Sequence, residues 1–229
     1  MDGAWITIQL TVLTLFFGTT LGICLALMRA SGRRLLEWPA LGYSLYFRGT
    51  PLLVQIFLIY YGSGQFRESL EAVGLWTYFR SPWFCGLLAL SLNTAAYSSE
   101  IFLGGLRAVP KGPLEAATAF ALPWWPRLTK IVFPSVIRTA WPAYSNEVIF
   151  QLQATSLVSL ITIMDITGVA RRYAARTFSF FEIYVTSAVL YLVLVGILAV
   201  IFQMVERRLR QTEQGATIPV PTGGPVPRG

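Results

Sequence analysis

No histidine occurs in the 229 residues, and there are only 2 cysteines. The commonest zinc ligand and the commonest general base are therefore missing. Cys24 and Cys85 both fall in apolar stretches, where a thiol behaves as a small hydrophobe, so neither a disulfide nor a metal site is expected. Charge is scarce as well: 13% of residues are charged, against 55% apolar. A soluble domain of this length would need a denser coat of charge. No phosphate-binding loop of the Gly-xxxx-Gly-Lys-Ser/Thr type is present, so energy for active work has to come from another chain.

What the chain does have is long uncharged runs, between Asp2 and Arg29, Arg48 and Arg67, Arg80 and Glu100, Arg138 and Asp165 (broken by Glu147), and Glu182 and Glu206. A bilayer core needs roughly 20 apolar residues of helix, and a helix satisfies its own backbone there. The sequence thus predicts an all-α membrane protein with five transmembrane helices, near 5-28, 45-66, 83-106, 141-164 and 183-205. The first run has no basic flank before it and no small-residue cleavage site, so it reads as a retained anchor and not a signal peptide. Residues 1-210 form one membrane domain, with a loop at 107-138 and an aperiodic Pro- and Gly-rich tail at 211-229 expected to be disordered.

Lys and Arg placement orients the chain. With the N-terminus outside, Arg29, Arg33, Arg34, Arg48, Arg107, Lys111, Arg127, Lys130, Arg138, Arg207, Arg208 and Arg210 face the cytoplasm, as does the C-terminus. Only Arg67, Arg80, Arg171, Arg172 and Arg176 fall outside. The net charge of +7 is on this reading a topology signal toward a membrane surface, and nucleic acid is not an expected partner.

Local signals mark several stretches. Gly18 and Gly22 share a small-xxx-small spacing, which fits either a close helix seam or the ordinary glycine content of membrane helices. Thr50-Pro51 reads as a capped helix start, and Arg67, Glu68 and Glu71 suggest a short surface helix. In the 107-138 loop, Pro113 and Glu115 suit a first helical turn, Ala116, Ala117 and Ala119 a small-residue face, and Pro123 and Pro126 a stop.

That loop carries a resemblance. Glu115-Ala116-Ala117, then position 121, then Ile131-Val132-Phe133-Pro134 matches in spacing the coupling motif of bacterial ABC importer permeases, Glu-Ala-Ala, three residues, Gly, nine residues, Ile-x-Leu-Pro. Ala121 replaces the usual glycine, and since alanine is costly at positive φ a left-handed turn is not expected there. Phe47 to Gln55 (FRGTPLLVQ) is similar to the signature of the polar amino-acid branch. Asn93 to Glu100 (NTAAYSSE), and Pro142 to Ile149 with Thr155-Ser156-Leu157, most resemble the M-type permease of histidine, basic amino-acid and opine transporters.

The resemblance implies a type I importer permease with the MetI-like fold, in the bacterial inner membrane. Two ATPase subunits would grip the loop through Glu115, Ala116, Ala117, Ala121, Ile131 and Pro134. A homologous sister permease, in a heterodimer, would complete the pathway, and a periplasmic binding protein would deliver an amino acid or opine. The chain itself would be no enzyme and hold no cofactor; ATP and Mg would sit in the ATPase subunits.

Glu100 and Glu147 are acidic residues well inside spans, where an unpaired carboxylate is costly. Both lie about six residues from a cytoplasmic helix end, roughly 9 Å deep. One reading gives them a shared polar pocket with Asn93, Tyr97 and Asn146, with Thr155 and Ser156 nearby, taking a substrate's ammonium or guanidinium. The other pairs them structurally, with Arg107 or Arg138. Arg171, Arg172 and Arg176 suit either a docking surface for the binding protein or a solvated helix. Intramembrane carboxylates also fit an alternative class, an ion-coupled secondary amino-acid carrier, though such a carrier leaves the basic loop unexplained.

Overall fold

The computed structural model describes residues 2–214, and among them every regular element is a helix. Helix α1 (Asp2–Ala30) turns at Gly32 (φ 67) into α2 (Arg34–Gly49). After α3 (Leu52–Tyr60) come a 3-10 turn (Gly62–Phe66) and two short helices, α4 (Arg67–Ala72) and α5 (Trp76–Phe79). Helix α6 (Pro82–Arg107) leads to α7 (Lys111–Ala119) and α8 (Trp124–Arg127). A π turn (Leu128–Val132) joins α8 to α9 (Phe133–Ala154), and a 3-10 stretch (Thr155–Ile161) precedes α10 (Ile166–Thr177) and α11 (Phe180–Gln214). The last helix thus runs four residues into the stretch expected to be tail, since Glu206 to Gln214 keeps good helix formers. The rest of that expected tail lies outside the described residues.

By length and composition α1 (Asp2–Ala30) and α11 (Phe180–Leu209) can each cross a bilayer, and Trp124–Ile161 and Ile166–Thr177, bent by 47° at their break, are long and apolar enough only when taken together. Helix α6, with 26 residues, is long enough but more polar, and its polarity points inward: Asn93, Thr94, Ser98 and Ser99 are all buried. It is the central post, with α1, α2, α3 and α9 packed around it.

The α1–α6 contact is a backbone-to-backbone seam. A Cβ at Gly18 would stand 2.8 Å from the Thr94 Cβ and 2.9 Å from the Ser91 carbonyl oxygen. One at Gly22 would stand 2.7 Å from the Ser98 Cβ and 3.0 Å from the Ala95 oxygen. Real side chains cannot come that close, so of the two readings of this glycine pair the seam is the right one, and it lies within the chain. Where lipid tails are as apolar as leucine, such close packing, not water exclusion, is what holds helices together.

Leu10, Ile56, Leu90, Val158 and Ile161 form a fully buried core. Asp165 fixes the start of α10: its carboxylate accepts from the Gly168 N–H (2.8 Å), the Thr167 N–H (3.3 Å) and the Tyr191 hydroxyl of α11 (3.0 Å). The adjacent Ile166 N–H donates to the Thr7 hydroxyl of α1 (3.3 Å). Helix α11 is otherwise apolar and open: Val185, Val189, Leu192, Val193 and Ile197 are exposed, the pattern of a helix facing lipid.

The stretch 45-66 is not one helix. Gly49 ends α2, Thr50 and Pro51 are extended, and α3 has only nine residues. Pro51 forbids the helical conformation at Thr50, which breaks the run. Thr50 does not cap α3; its hydroxyl donates back to the Tyr46 carbonyl (2.8 Å) and so finishes α2.

Candidate functional site

The Thr50-Pro51 break is stitched by an amide pair. The Gln55 Nε2 donates to the Phe47 carbonyl (2.8 Å), the Thr50 carbonyl (3.0 Å) and the Thr50 hydroxyl (2.8 Å). From α6, the Asn93 Nδ2 donates to the same Phe47 carbonyl and to the Gln55 Oε1, both at 3.1 Å. Backbone carbonyls freed by the break thus find donors away from water, as a membrane interior requires. Gln55 was the visible signal, an amide in an otherwise apolar run, and sequence reasoning passed over it.

Beside this stitch lies an open-sided cavity of about 540 Å³ between α3, α6, α9 and the 3-10 stretch. Asn93, Tyr97, Glu147 and Ser156 line it, together with Gln151. The Gln151 Oε1 accepts from Thr94 (2.7 Å), while its Nε2 is buried without a partner among the described residues. No cation pairs with Glu147 among the described residues. Asn146 is exposed and not part of the lining, because on α9 it stands one position, or about 100° of helix, from Glu147. Thr155 is buried behind the wall, its hydroxyl donating to the Leu152 carbonyl (2.7 Å).

The two carboxylates do not share this cavity. Glu100 belongs to a separate cluster, formed where the last turns of α1 and α2 meet α6. It is ion-paired with Arg29, whose side chain is 9% exposed, and with Arg48 at 2.9 Å, and it accepts from the Ser44 hydroxyl at 2.8 Å. Its partners are therefore Arg29 and Arg48, and not Arg107 or Arg138. In the sequence Arg29 stood only as an orienting charge, and Arg48 as that and as part of the Phe47 to Gln55 signature, since nothing in linear order shows that two helix ends converge on a third helix. The Arg48 guanidinium also stands 5.6 Å from the centroid of the Tyr97 ring.

In the loop, α7 runs from Lys111 to Ala119, so Glu115 is its fifth residue and lies outside the first turn. Glu115 and Ala116 are exposed and Ala117 is buried. Ala121 has φ 48, which corrects the expectation that alanine would avoid a left-handed turn. The Ala121 N–H donates to the Thr118 carbonyl and the Leu122 N–H to the Ala117 carbonyl, both at 2.9 Å, the two bonds of a Schellman cap. Those bonds outweigh a local strain of about 1 kcal/mol. Pro123 and Pro126 do not stop a helix; Pro123 caps α8 and Pro126 sits within it, where a missing N–H costs little. Ile131 lies in the π turn, and Pro134, second in α9, follows it directly.

Of the arginines on α10, Arg171 donates to the Ser159 carbonyl (2.8 Å), while Arg172 and Arg176 are exposed.

Comparison with known proteins agrees with this layout. Residues 18–211 match the model of the family described as binding-protein-dependent transport system inner membrane component. The nopaline transport system permease protein NocM of Agrobacterium fabrum (strain C58) is 45% identical over 200 residues, 87% of this chain and 83% of that protein. The histidine/lysine/arginine/ornithine transport system permease protein HisM of Escherichia coli K12 is 38% identical, over 91% of this chain and 88% of its own length. A solved amino acid ABC transporter with histidines superposes with a TM-score of 0.78 at 32% identity, covering 90% of this chain and 92% of that one. A loop with the coupling spacing, a kinked helix pair against a central post and a match over most of the length leave one conclusion: this chain belongs to the inner-membrane permease family of binding-protein-dependent transport systems.

Proposed function

We propose that this chain imports a basic amino acid, histidine or an opine, as one half of a permease heterodimer driven by two ATPase subunits and fed by a periplasmic binding protein. The observation that carries the substrate class is Glu147, a carboxylate lining a cavity of about 540 Å³ with no cation beside it among the described residues. An uncompensated carboxylate in a membrane protein calls for a counter-charge, and a substrate's ammonium or guanidinium supplies one. The Gln151 amide adds a buried donor on the same wall. The relatives named for nopaline and for histidine, lysine, arginine and ornithine point to the same chemistry.

In this reading the chain crosses the membrane five times with its N-terminus outside, and α7 is the lever. Its exposed Glu115 and Ala116 meet the ATPase, the buried Ala117 anchors it, and Arg172 and Arg176 offer a basic edge to the binding protein. ATP and Mg stay in the partner subunits.

Reconstitution with sister permease, ATPase subunits and binding protein tests the proposal by uptake of labelled L-arginine, L-histidine and nopaline. Uptake of at least one, abolished when ATP hydrolysis is blocked, is expected. Glu147→Gln should lower it by about ten-fold or more, the loss of a charge-assisted contact. Glu115→Lys should leave the complex assembled but uncouple its ATPase from the binding protein. Uptake that persists without hydrolysis favours the ion-coupled carrier instead, and an unaffected Glu147→Gln removes the substrate role of that residue.

A further inference from the structure

The Glu100 cluster holds two guanidinium groups on one carboxylate. Arg29 is the buried member and needs that carboxylate most. Arg48 is the accessible one, its side chain 39% exposed, and only its Nη1 is engaged, at 2.9 Å from Glu100. One positive charge is left over. It lies over Tyr97, 5.6 Å from the ring centroid, and Tyr97 is part of the cavity wall. Arg48 does not itself line that cavity, and Tyr97 is the residue the two share; Glu147, on the facing helix α9, lines it with no cation beside it among the described residues.

We propose that Arg48 is the carboxylate receptor of the transport pathway: the cavity holds its solute as a dipole, with the cationic group on Glu147 and the α-carboxylate on the free edge of the Arg48 guanidinium. This rests on the substrate reading above and goes beyond it, because it assigns recognition of a second charge to a residue of the α2 helix end. A guanidinium fits the task through its planar fork, which pairs with a carboxylate at two points while another edge stays on Glu100. The Tyr97 ring keeps that fork in place by its face. Because the Thr50-Pro51 break lies just beyond Arg48, the Gln55–Asn93 stitch also sets where the receptor stands.

The test compares acids with their decarboxylated counterparts, L-arginine with agmatine and L-histidine with histamine. Binding is measured by saturation-transfer NMR on the assembled transporter in nanodiscs without binding protein. Wild type should prefer the acid in at least one pair. Arg48→Met should weaken that acid by about ten-fold and leave the decarboxylated probe unchanged. Arg48→Lys, which keeps the charge but not the fork, should weaken the acid less and retain the preference. Should Arg48→Met not assemble, the lysine variant alone decides. Acid and decarboxylated probe shifting together, neither shifting, or failure of both variants to assemble would overturn the proposal and leave Arg48 a structural anchor. Binding of neither acid to wild type would overturn the substrate reading itself, a separate result.

Discussion

Ala121 holds a backbone shape that glycine adopts without strain. Nothing stands on its side chain's behalf except the Schellman bonds to Thr118 and Ala117, so Ala121→Gly should relieve the strain, stabilising the end of α7 by about 1 kcal/mol. Slower hydrogen exchange of the Ala121 and Leu122 amides would show it; faster exchange would mean that the flexibility gained by the unfolded loop dominates. Asn93 makes the opposite case, since its amide donates to two acceptors, the Phe47 carbonyl and the Gln55 Oε1. Asn93→Ala should destabilise by about 1–3 kcal/mol, read as a lower melting temperature of the purified complex. An unchanged melting point would mean that Gln55 alone closes the break. Both residues could be seen in the sequence but not understood there. The motif located position 121 without its φ, and the polar stretch around Asn93 suggested a ligand where the molecule also needed a staple.

Helices divide between those the chain announces and those it conceals. The existence of α1 and α11 was plain because an uncharged run bounded by charge is a one-dimensional signal, although α11 continues past the expected 205 to Gln214. Helix α7 was legible through its alanines. The end of α2 was drawn into the span expected at 45-66, because apolar content continues through Thr50-Pro51 while backbone direction does not. Glu100 and Glu147 were expected at equal depth, about six residues from a helix end. Glu100 does stand seven residues before the end of α6 at Arg107, but α9 begins at Phe133, fourteen residues before Glu147, so one meets arginines and the other the cavity. Counting residues fails where the helix starts earlier than the apolar run that betrays it. The α1–α6 seam is the element-scale feature most exposed to test. Gly22→Val would set a side chain against the Ser98 Cβ and the Ala95 carbonyl, which cannot retreat. A destabilisation of at least about 1–3 kcal/mol is expected, whereas Gly42→Val on α2, where an added Cβ meets nothing within 4 Å, should cost less. Equal losses in assembled complex would show that the seam is looser than described.

For the whole molecule, the proposed orientation puts α7 and α10 on opposite sides of the bilayer. In a Cys24→Ser background, which removes the exposed native thiol and keeps buried Cys85, Lys111→Cys should react with an impermeant maleimide only from inside. Arg172→Cys should react only from outside, and the reverse pattern would invert the topology. The π turn at Leu128–Val132 has a consequence at this scale. Its Phe133 N–H reaches back five residues to the Leu128 carbonyl, and Pro134 follows with no N–H to offer. One extra residue in a turn rotates all that precedes it by about 100° relative to all that follows. On the proposed function, the angle at which an ATPase pushes on α7 is thereby set apart from the angle at which Glu147 meets a solute. Deleting a single residue there would swing α7 through more than a quarter of a circle relative to α9 while leaving the helix from Phe133 onward unchanged in sequence, a transmission thrown out of alignment with both of its ends intact.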